Sequence, residues 1–128
     1  MKYYYEKMTN YSFDEAVERV IEELKKEGFG VLTEIDVQAT LKKKLDVDFK
    51  KYRILGACNA PNAYKALQAE NKIGTMLPCN VIVQELEPNR VEVAAVNPLA
   101  SMMAVENGAL GEVAKEITRK LETVISRV

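Results

Sequence analysis

Residues 52–61 read YRILGACNAP, a strand pattern that passes directly into the start of a helix. The strand covers Tyr52–Ala57, and Asn59 with Pro61 is typical of a helix N-terminus, which predicts a helix over Ala60–Glu70. Cys58 therefore lies at the end of a strand, just ahead of a helix.

A second Cys-Asn pair, Cys79-Asn80, lies where the next strand begins. That strand, Asn80–Leu86, turns through residues 87–90 into Val91–Val96, which predicts a hairpin. If the strands that carry the two pairs are antiparallel, Cys58 and Cys79 meet at one edge of the sheet. A right-handed parallel crossover would instead separate them by one strand length, ~17–20 Å. The spacing of the pairs leaves both topologies open.

Five strand patterns and five helix patterns run through the chain without a linker. The first helix has the clearest signals, because residues 12–15 read SFDE, typical of a capping box, and Gly28 is typical of a helix end. The last helix, residues 110–128, keeps one apolar stripe for about five turns. A chain of 128 residues, 48% of them apolar, is enough for one core. We expect a single compact α+β domain over residues 1–128.

Two shorter helices are predicted between these elements. Asp36 should cap a helix with Val37, Leu41 and Leu45 on one face. Asn97-Pro98 should open an apolar helix through Met102 and Met103.

Composition excludes several classes of function. The chain has no histidine, which removes Ser-His and Cys-His nucleophilic pairs and every metal site that uses histidine. Its net charge of −1 gives no general attraction to nucleic acid or to anionic membranes, so neither is an expected partner. Because no stretch has the apolar length of a signal segment or a membrane span, we expect a cytoplasmic protein whose two thiols are reduced.

The duplicated Cys-Asn pairs are the most distinctive chemical feature, and binding is the function that they best predict. We expect a small-ligand or soft-metal site formed by Cys58, Asn59, Pro78, Cys79 and Asn80 at the sheet edge. Two thiolates without histidine suit a soft, low-coordinate ion such as Cu(I), so Cys58 and Cys79 are the candidate metal ligands.

Two alternatives stay open. Cys58 lies near the positive end of a helix dipole, which favours a thiolate and would suit a nucleophile in thiol-dependent redox or sulfur-transfer chemistry. Cysteine is also often a small buried apolar residue, in which case the domain is a structural or interaction module. Of these, we favour binding over catalysis.

Four stretches of the sequence share one resemblance: LGACN at residues 55–59 with Pro61, Ile73-Gly74, LPCNV at residues 77–81, and Asn97-Pro98. In these stretches the sequence resembles the domain of unknown function 302 family of small bacterial and archaeal proteins. Ala60 departs from the resemblance, because we expect proline directly after Cys-Asn in that family. The resemblance implies a compact α+β fold, with helices mainly on one side of a mixed or largely antiparallel five-stranded sheet, and a homodimer. It implies no established activity.

Overall fold

The computed structural model describes residues 2–128, and Met1 lies outside the described residues. Within residues 2–128, five strands and five α-helices follow one another, as the sequence predicted, with a 3-10 helix over Asn71–Met76. The strands are β1 (Tyr4–Thr9), β2 (Gly30–Asp36), β3 (Tyr52–Cys58), β4 (Cys79–Glu87) and β5 (Arg90–Val96). The helices are α1 (Phe13–Lys26), α2 (Val37–Leu45), α3 (Ala60–Ala69), α4 (Pro98–Ser101) and α5 (Leu110–Arg127).

The strands form one open sheet in the order β1-β5-β4-β3-β2. Every pairing is antiparallel, so the sheet expected to be mixed or largely antiparallel is antiparallel throughout. β4 and β5 are joined by the predicted hairpin, in which Asn89 takes the positive φ that a tight turn requires. The fold is the predicted single α+β domain.

The core lies between one face of the sheet and the helices α1 and α5. Its interior side chains come from alternate strand positions, such as Val81, Val83, Val91 and Val93, and from Leu121 of α5, all fully buried. The helices therefore cover mainly one side of the sheet, and the other side is left open.

The two ends of α1 have the capping arrangements that the sequence predicted. The Ser12 side chain accepts a hydrogen bond from the Glu15 amide. At the other end, Gly28 has a φ of +83°, and Phe29 donates its backbone N–H to the Leu24 carbonyl at 2.9 Å. This is the Schellman arrangement, and it turns the chain directly into β2.

The two short helices differ from their predicted packing and length. α2 is capped by Asp36 as expected, but none of its residues is buried, and Leu45 is 65% exposed. The helix expected to reach Met103 ends at Ser101, and the chain then turns. Both segments carry helix signals, but α2 buries none of its side chains and α4 spans four residues.

Candidate functional site

The two cysteines lie at the same end of neighbouring strands. β3 and β4 are antiparallel, and Ala57 is the direct partner of Cys79. Cys58 is the next residue, so the two cysteine Cα atoms are roughly 6 Å apart, from ~5 Å across a pair and ~3.3 Å along a strand. Both are free thiols. Of the two topologies that the sequence left open, the antiparallel one is present, and it places the two cysteines at the same end of neighbouring strands.

Gly56 is what allows Pro78 to close against β3. A β-carbon at Gly56 would lie 2.7 Å from Cγ of Pro78 and 2.1 Å from Oγ1 of Thr33. Both distances are well below van der Waals contact, so no other residue fits without movement of its neighbours. The glycine in LGACN thus permits the close approach of Pro78, the residue before Cys79.

A cavity of about 240 Å³ opens beside the two cysteines, at the end of β3 and the start of β4. We call it the strand-end cavity. Helices α3 and α5 form its far wall, and no lining residue in the described part of the chain has a charged side chain. Its lining is Phe29, Leu32, Ala57, Cys58, Asn59, Asn62, Ala63, Ala66, Leu67, Leu77, Pro78, Cys79, Pro98, Met102, Val113, Ala114 and Ile117.

Asn59, one of the predicted site residues, holds the turn between β3 and α3. Its side-chain nitrogen donates to the backbone carbonyl of Glu27 at 3.2 Å, beyond the end of α1. Its Oδ1 accepts from the backbone N–H of Asn62 at 3.3 Å and from the Asn62 side-chain nitrogen at 3.0 Å. Asn59 is 7% exposed. It lines the cavity and also caps α3.

Asn62 also lines the cavity, and the sequence reasoning missed it. The residue is 4% exposed, and its Oδ1 accepts no hydrogen bond from the protein. Its position, three residues after the helix cap, is a signal that could have directed attention to it, because N-cap side chains bond to that position. A buried acceptor without a donor is uncommon in folded proteins.

The two thiols have different surroundings. Cys79 is part of the hydrophobic core, and burial, together with the nearby Cys58, raises its pKa from 9.0 to about 11. Cys79 is therefore a neutral thiol at pH 7. Cys58 is half-buried and immediately precedes Asn59, the cap of α3.

Asn80 lies outside the strand-end cavity, although it lines a second pocket together with Pro78 and Cys79. It is paired with Gly56 and is exposed on the sheet face that the helices leave open. There it borders a groove with Tyr3, Tyr4 and Tyr52. The structure thus brings Cys58, Asn59, Pro78 and Cys79 to one cavity and places Asn80 outside it, because adjacent strand residues point to opposite faces.

Within residues 2–128, no group of three or more His, Cys, Asp or Glu side chains is placed to hold a metal ion. No described helix combines the length and the apolar character that crossing a membrane requires.

Comparison with known proteins gives a family and a close structural relative. The family model described as Domain of unknown function DUF302 matches residues 5–128. Among solved structures, the crystal structure of uncharacterized conserved protein DUF302 from Bacillus stearothermophilus is similar, with a TM-score of 0.91 and 30% sequence identity. The match covers 99% of this chain and 98% of that chain. A search of the curated proteins gave no match. The family match spans nearly the whole chain, and the protein therefore belongs to the DUF302 family.

Proposed function

We propose that this protein binds a small, largely apolar molecule in the strand-end cavity and that binding, rather than catalysis, is its function. The observation that carries the proposal is the cavity itself, an apolar space beside Cys58 and Cys79 at the junction of β3, β4 and α3. Concave, mostly apolar sites with a few polar groups are the usual form of small-molecule sites.

The size of the cavity supports this proposal. An engineered cavity of ~150 Å³ in another protein binds benzene, so a space of this kind accepts an aromatic ring. At about 240 Å³, the strand-end cavity has room for a substituted or fused ring of similar thickness. Because its lining has no charged side chain among the described residues, a charged ligand would lose its hydration without compensation.

The soft-metal form of the proposal has weaker support. A metal such as Cu(I) binds thiolates, and the raised pKa of Cys79 means that its proton must be displaced at neutral pH. Anaerobic loading with Cu(I), followed by elemental analysis, tests this form. One ion bound per chain, lost in both Cys58→Ala and Cys79→Ala, would establish the metal site in place of the apolar ligand.

A second candidate is thiol chemistry at Cys58, and one observation favours it. Cys58 is partly exposed directly before the N-terminus of α3, whereas Cys79 is buried and protonated. Redox or sulfur-transfer chemistry would therefore use Cys58 as the nucleophile. Alkylation rates across pH decide between the two functions: an ordinary rate at Cys58, equal to that of a small free thiol, would count against a reactive nucleophile.

We also propose a cytoplasmic homodimer. Reduced thiols suit the cytoplasm, and the family resemblance implies a dimer. The apolar side chains exposed on and around β2 and α2, among them Leu32, Ile35 and Leu45, support an interaction surface in this region. Light scattering gives the mass in solution, and a monomer at high concentration would contradict the dimer.

Binding is tested with indene, an apolar fused-ring probe without hydrogen-bond donors. Ala63 lines the cavity from α3, so Ala63→Leu should fill part of it and weaken indene binding at least tenfold. Ala60→Leu is the matched control, because Ala60 is an exposed residue of the same helix outside the cavity. Titrations followed by amide chemical shifts give the affinities. Absent indene binding by the wild-type protein, or equal binding by all three proteins, would refute the proposed site.

A further inference from the structure

The groove on the open face of the sheet, which borders Asn80, is a second concave site and contains neither cysteine. It has a volume of about 410 Å³ and crosses β1, β5, β4 and β3. We call it the open-face groove. None of its lining residues belongs to β2 or α2, so it is separate from the surface proposed for a dimer.

The side chains of the open-face groove differ in kind from those of the strand-end cavity. Its aromatic residues are Tyr3, Tyr4 and Tyr52, and its charged residues are Glu6 and Glu92. No lysine or arginine is among the described residues that line it. The faces of aromatic rings attract cations, and so do carboxylates. The groove therefore has the composition of a site for a cation.

The register of the sheet places Tyr52 and Glu92 in one row across the groove. Tyr52 is paired with Gln84, and Gln84 with Glu92. Gln84 donates to Glu92 Oε1 at 2.9 Å and so holds the carboxylate in place. Burial, and then the charges of Tyr3 and Glu92, raise the pKa of Tyr52 above its ordinary value. Because charge effects weaken with distance, Tyr3 and Glu92 lie near enough to act on Tyr52.

Glu92 is the carboxylate of the groove that has no cationic partner. Glu6 is paired with Lys2 at 3.7 Å. Glu92 is half-buried, and none of the ion pairs formed within residues 2–128 includes it. A carboxylate that has lost part of its water gains more from a nearby cation than a fully solvated one does. A cation that enters the groove from solvent would therefore be stabilised beside Glu92.

Two tyrosine rings of the groove already attract cations of the protein itself. Lys2 Nζ lies 5.4 Å from the centre of the Tyr4 ring, and Lys50 Nζ lies 6.0 Å from the centre of the Tyr52 ring. Both distances are typical of cation–π contacts. The Lys2 side chain is 70% exposed, so an arriving ligand can displace it.

From the tyrosine rings and the unpaired Glu92 carboxylate we infer that the open-face groove binds a small organic cation of the quaternary-ammonium class. Such a cation has no N–H group, so it binds through its charge and its apolar methyl surface. The charge suits Glu92 and the rings, and the methyl groups suit Ile82 and Ala94, which are paired between them. This second site is independent of the ligand proposed for the strand-end cavity.

Choline and 3,3-dimethyl-1-butanol test the inference, because the two molecules have nearly the same shape and only choline is charged. Titrations at constant ionic strength, followed by amide chemical shifts, give both dissociation constants. We expect choline to bind roughly two- to fivefold more tightly than the alcohol, as for one exposed cation–π contact. The shifts should change at Tyr52, Gln84 and Glu92.

Glu92→Gln removes the charge but keeps an oxygen that can accept from Gln84. It should weaken choline binding roughly threefold and leave binding of the alcohol unchanged. Glu18→Gln is the matched control, because Glu18 is an exposed residue of α1 outside the groove. If Glu92→Gln does not fold, Tyr52→Leu removes one ring, with Tyr64→Leu as its control on the exposed face of α3.

Three results would overturn the inference. The first is equal binding of choline and the alcohol by the wild-type protein. The second is an equal effect of Glu92→Gln and Glu18→Gln on choline binding. The third is no choline binding at all, which would mean that Lys2 and Lys50 satisfy the groove. Each result leaves the binding of indene in the strand-end cavity unaffected, so the two proposals are tested separately.

Discussion

Gly56 shows how one missing side chain can shape a site. Thr33 approaches it from β2 and Pro78 from the residue that precedes β4, so that the space of a β-carbon is already occupied. Strand glycines usually weaken a sheet, and their presence often marks a close approach of this kind. The sequence showed the glycine in LGACN but not the side chains that surround it, because both come from distant parts of the chain.

Gly56→Ala should lower the free energy of unfolding by about 1–3 kcal/mol, as for other overpacked sites. Gly30→Ala is the control, because a β-carbon there meets nothing within 4 Å. It should change stability by less than about 0.5 kcal/mol. Urea denaturation of both variants gives the comparison, and equal stabilities would show that Pro78 and Thr33 move aside freely.

The thiol of Cys79 should make stability depend on pH under alkaline conditions. Its ordinary pKa of 9.0 rises to about 11 in the folded protein. Between these pH values the unfolded chain releases the proton and the folded protein keeps it, so stability falls as pH rises. The slope is up to ~1.4 kcal/mol per pH unit for this one group.

Cys79→Ala should remove that part of the slope. Burial also raises the pKa values of Tyr5 and Tyr52, whose contributions have the same sign and remain in both proteins. Urea denaturation at intervals between pH 8 and about pH 11 measures the difference in slope. Parallel stability curves for the two proteins would show that the thiol titrates normally in the folded state.

At the scale of elements, the β3–α3 junction combines structural and site roles. Asn59 caps α3, binds the end of α1 through the Glu27 carbonyl and orients Asn62. The sequence predicted the cap and the start of the helix at Ala60, since capping is a local property. It could not predict the bond to Glu27, which joins residues 32 positions apart. Asn62 was missed for the same reason, because only the assembled fold shows that its oxygen lacks a donor.

Asn59→Ala should destabilise the protein more than the loss of an ordinary helix cap. Ser12→Ala removes the exposed cap of α1 and should cost about 1 kcal/mol. Asn59→Ala also leaves the Glu27 carbonyl and the Asn62 amide without their partner, for a total of roughly 2–4 kcal/mol. Thermal and urea unfolding measure both. A cost at Asn59 no larger than that at Ser12 would mean that water replaces the lost bonds.

For the whole molecule, strand and helix positions followed from local patterns, whereas the order of strands did not. The alternation of apolar residues in β4 and β5 and the caps of α1 and α3 are readable in sequence. Whether β3 and β4 run antiparallel depends on where α3 packs. The sequence pattern of a single strand carries no information about that packing. The exposure of α2 was likewise not predictable, because an apolar helix face indicates packing without identifying a partner.

Because the strands and helices differ in how many buried side chains they contain, we expect them to differ in how readily they unfold locally. β5 lies between β1 and β4 and contains fully buried side chains, whereas α2 has no buried residue at all. In native-state hydrogen exchange, amides of Val93 and its neighbours should exchange slowest and those of Val37–Leu45 fastest among the helices. The amides of α1 provide the internal reference. Protection of α2 equal to that of β5 would show that the helix is covered in solution, as a dimer partner would cover it.

The hydrogen bond from Asn59 to Glu27 makes the start of α3 depend on the end of α1. Its acceptor is a main-chain carbonyl, so no change of side chain at position 27 removes it. Substitution at that position therefore leaves the Asn59 and Asn62 amides in their orientations. A substitution at Gly28 acts differently, because its φ is +83° and a β-carbon there would lie 3.2 Å from the Asn59 side-chain nitrogen. The turn that opens α3 thus inherits its geometry from a helix terminus encoded 32 positions earlier.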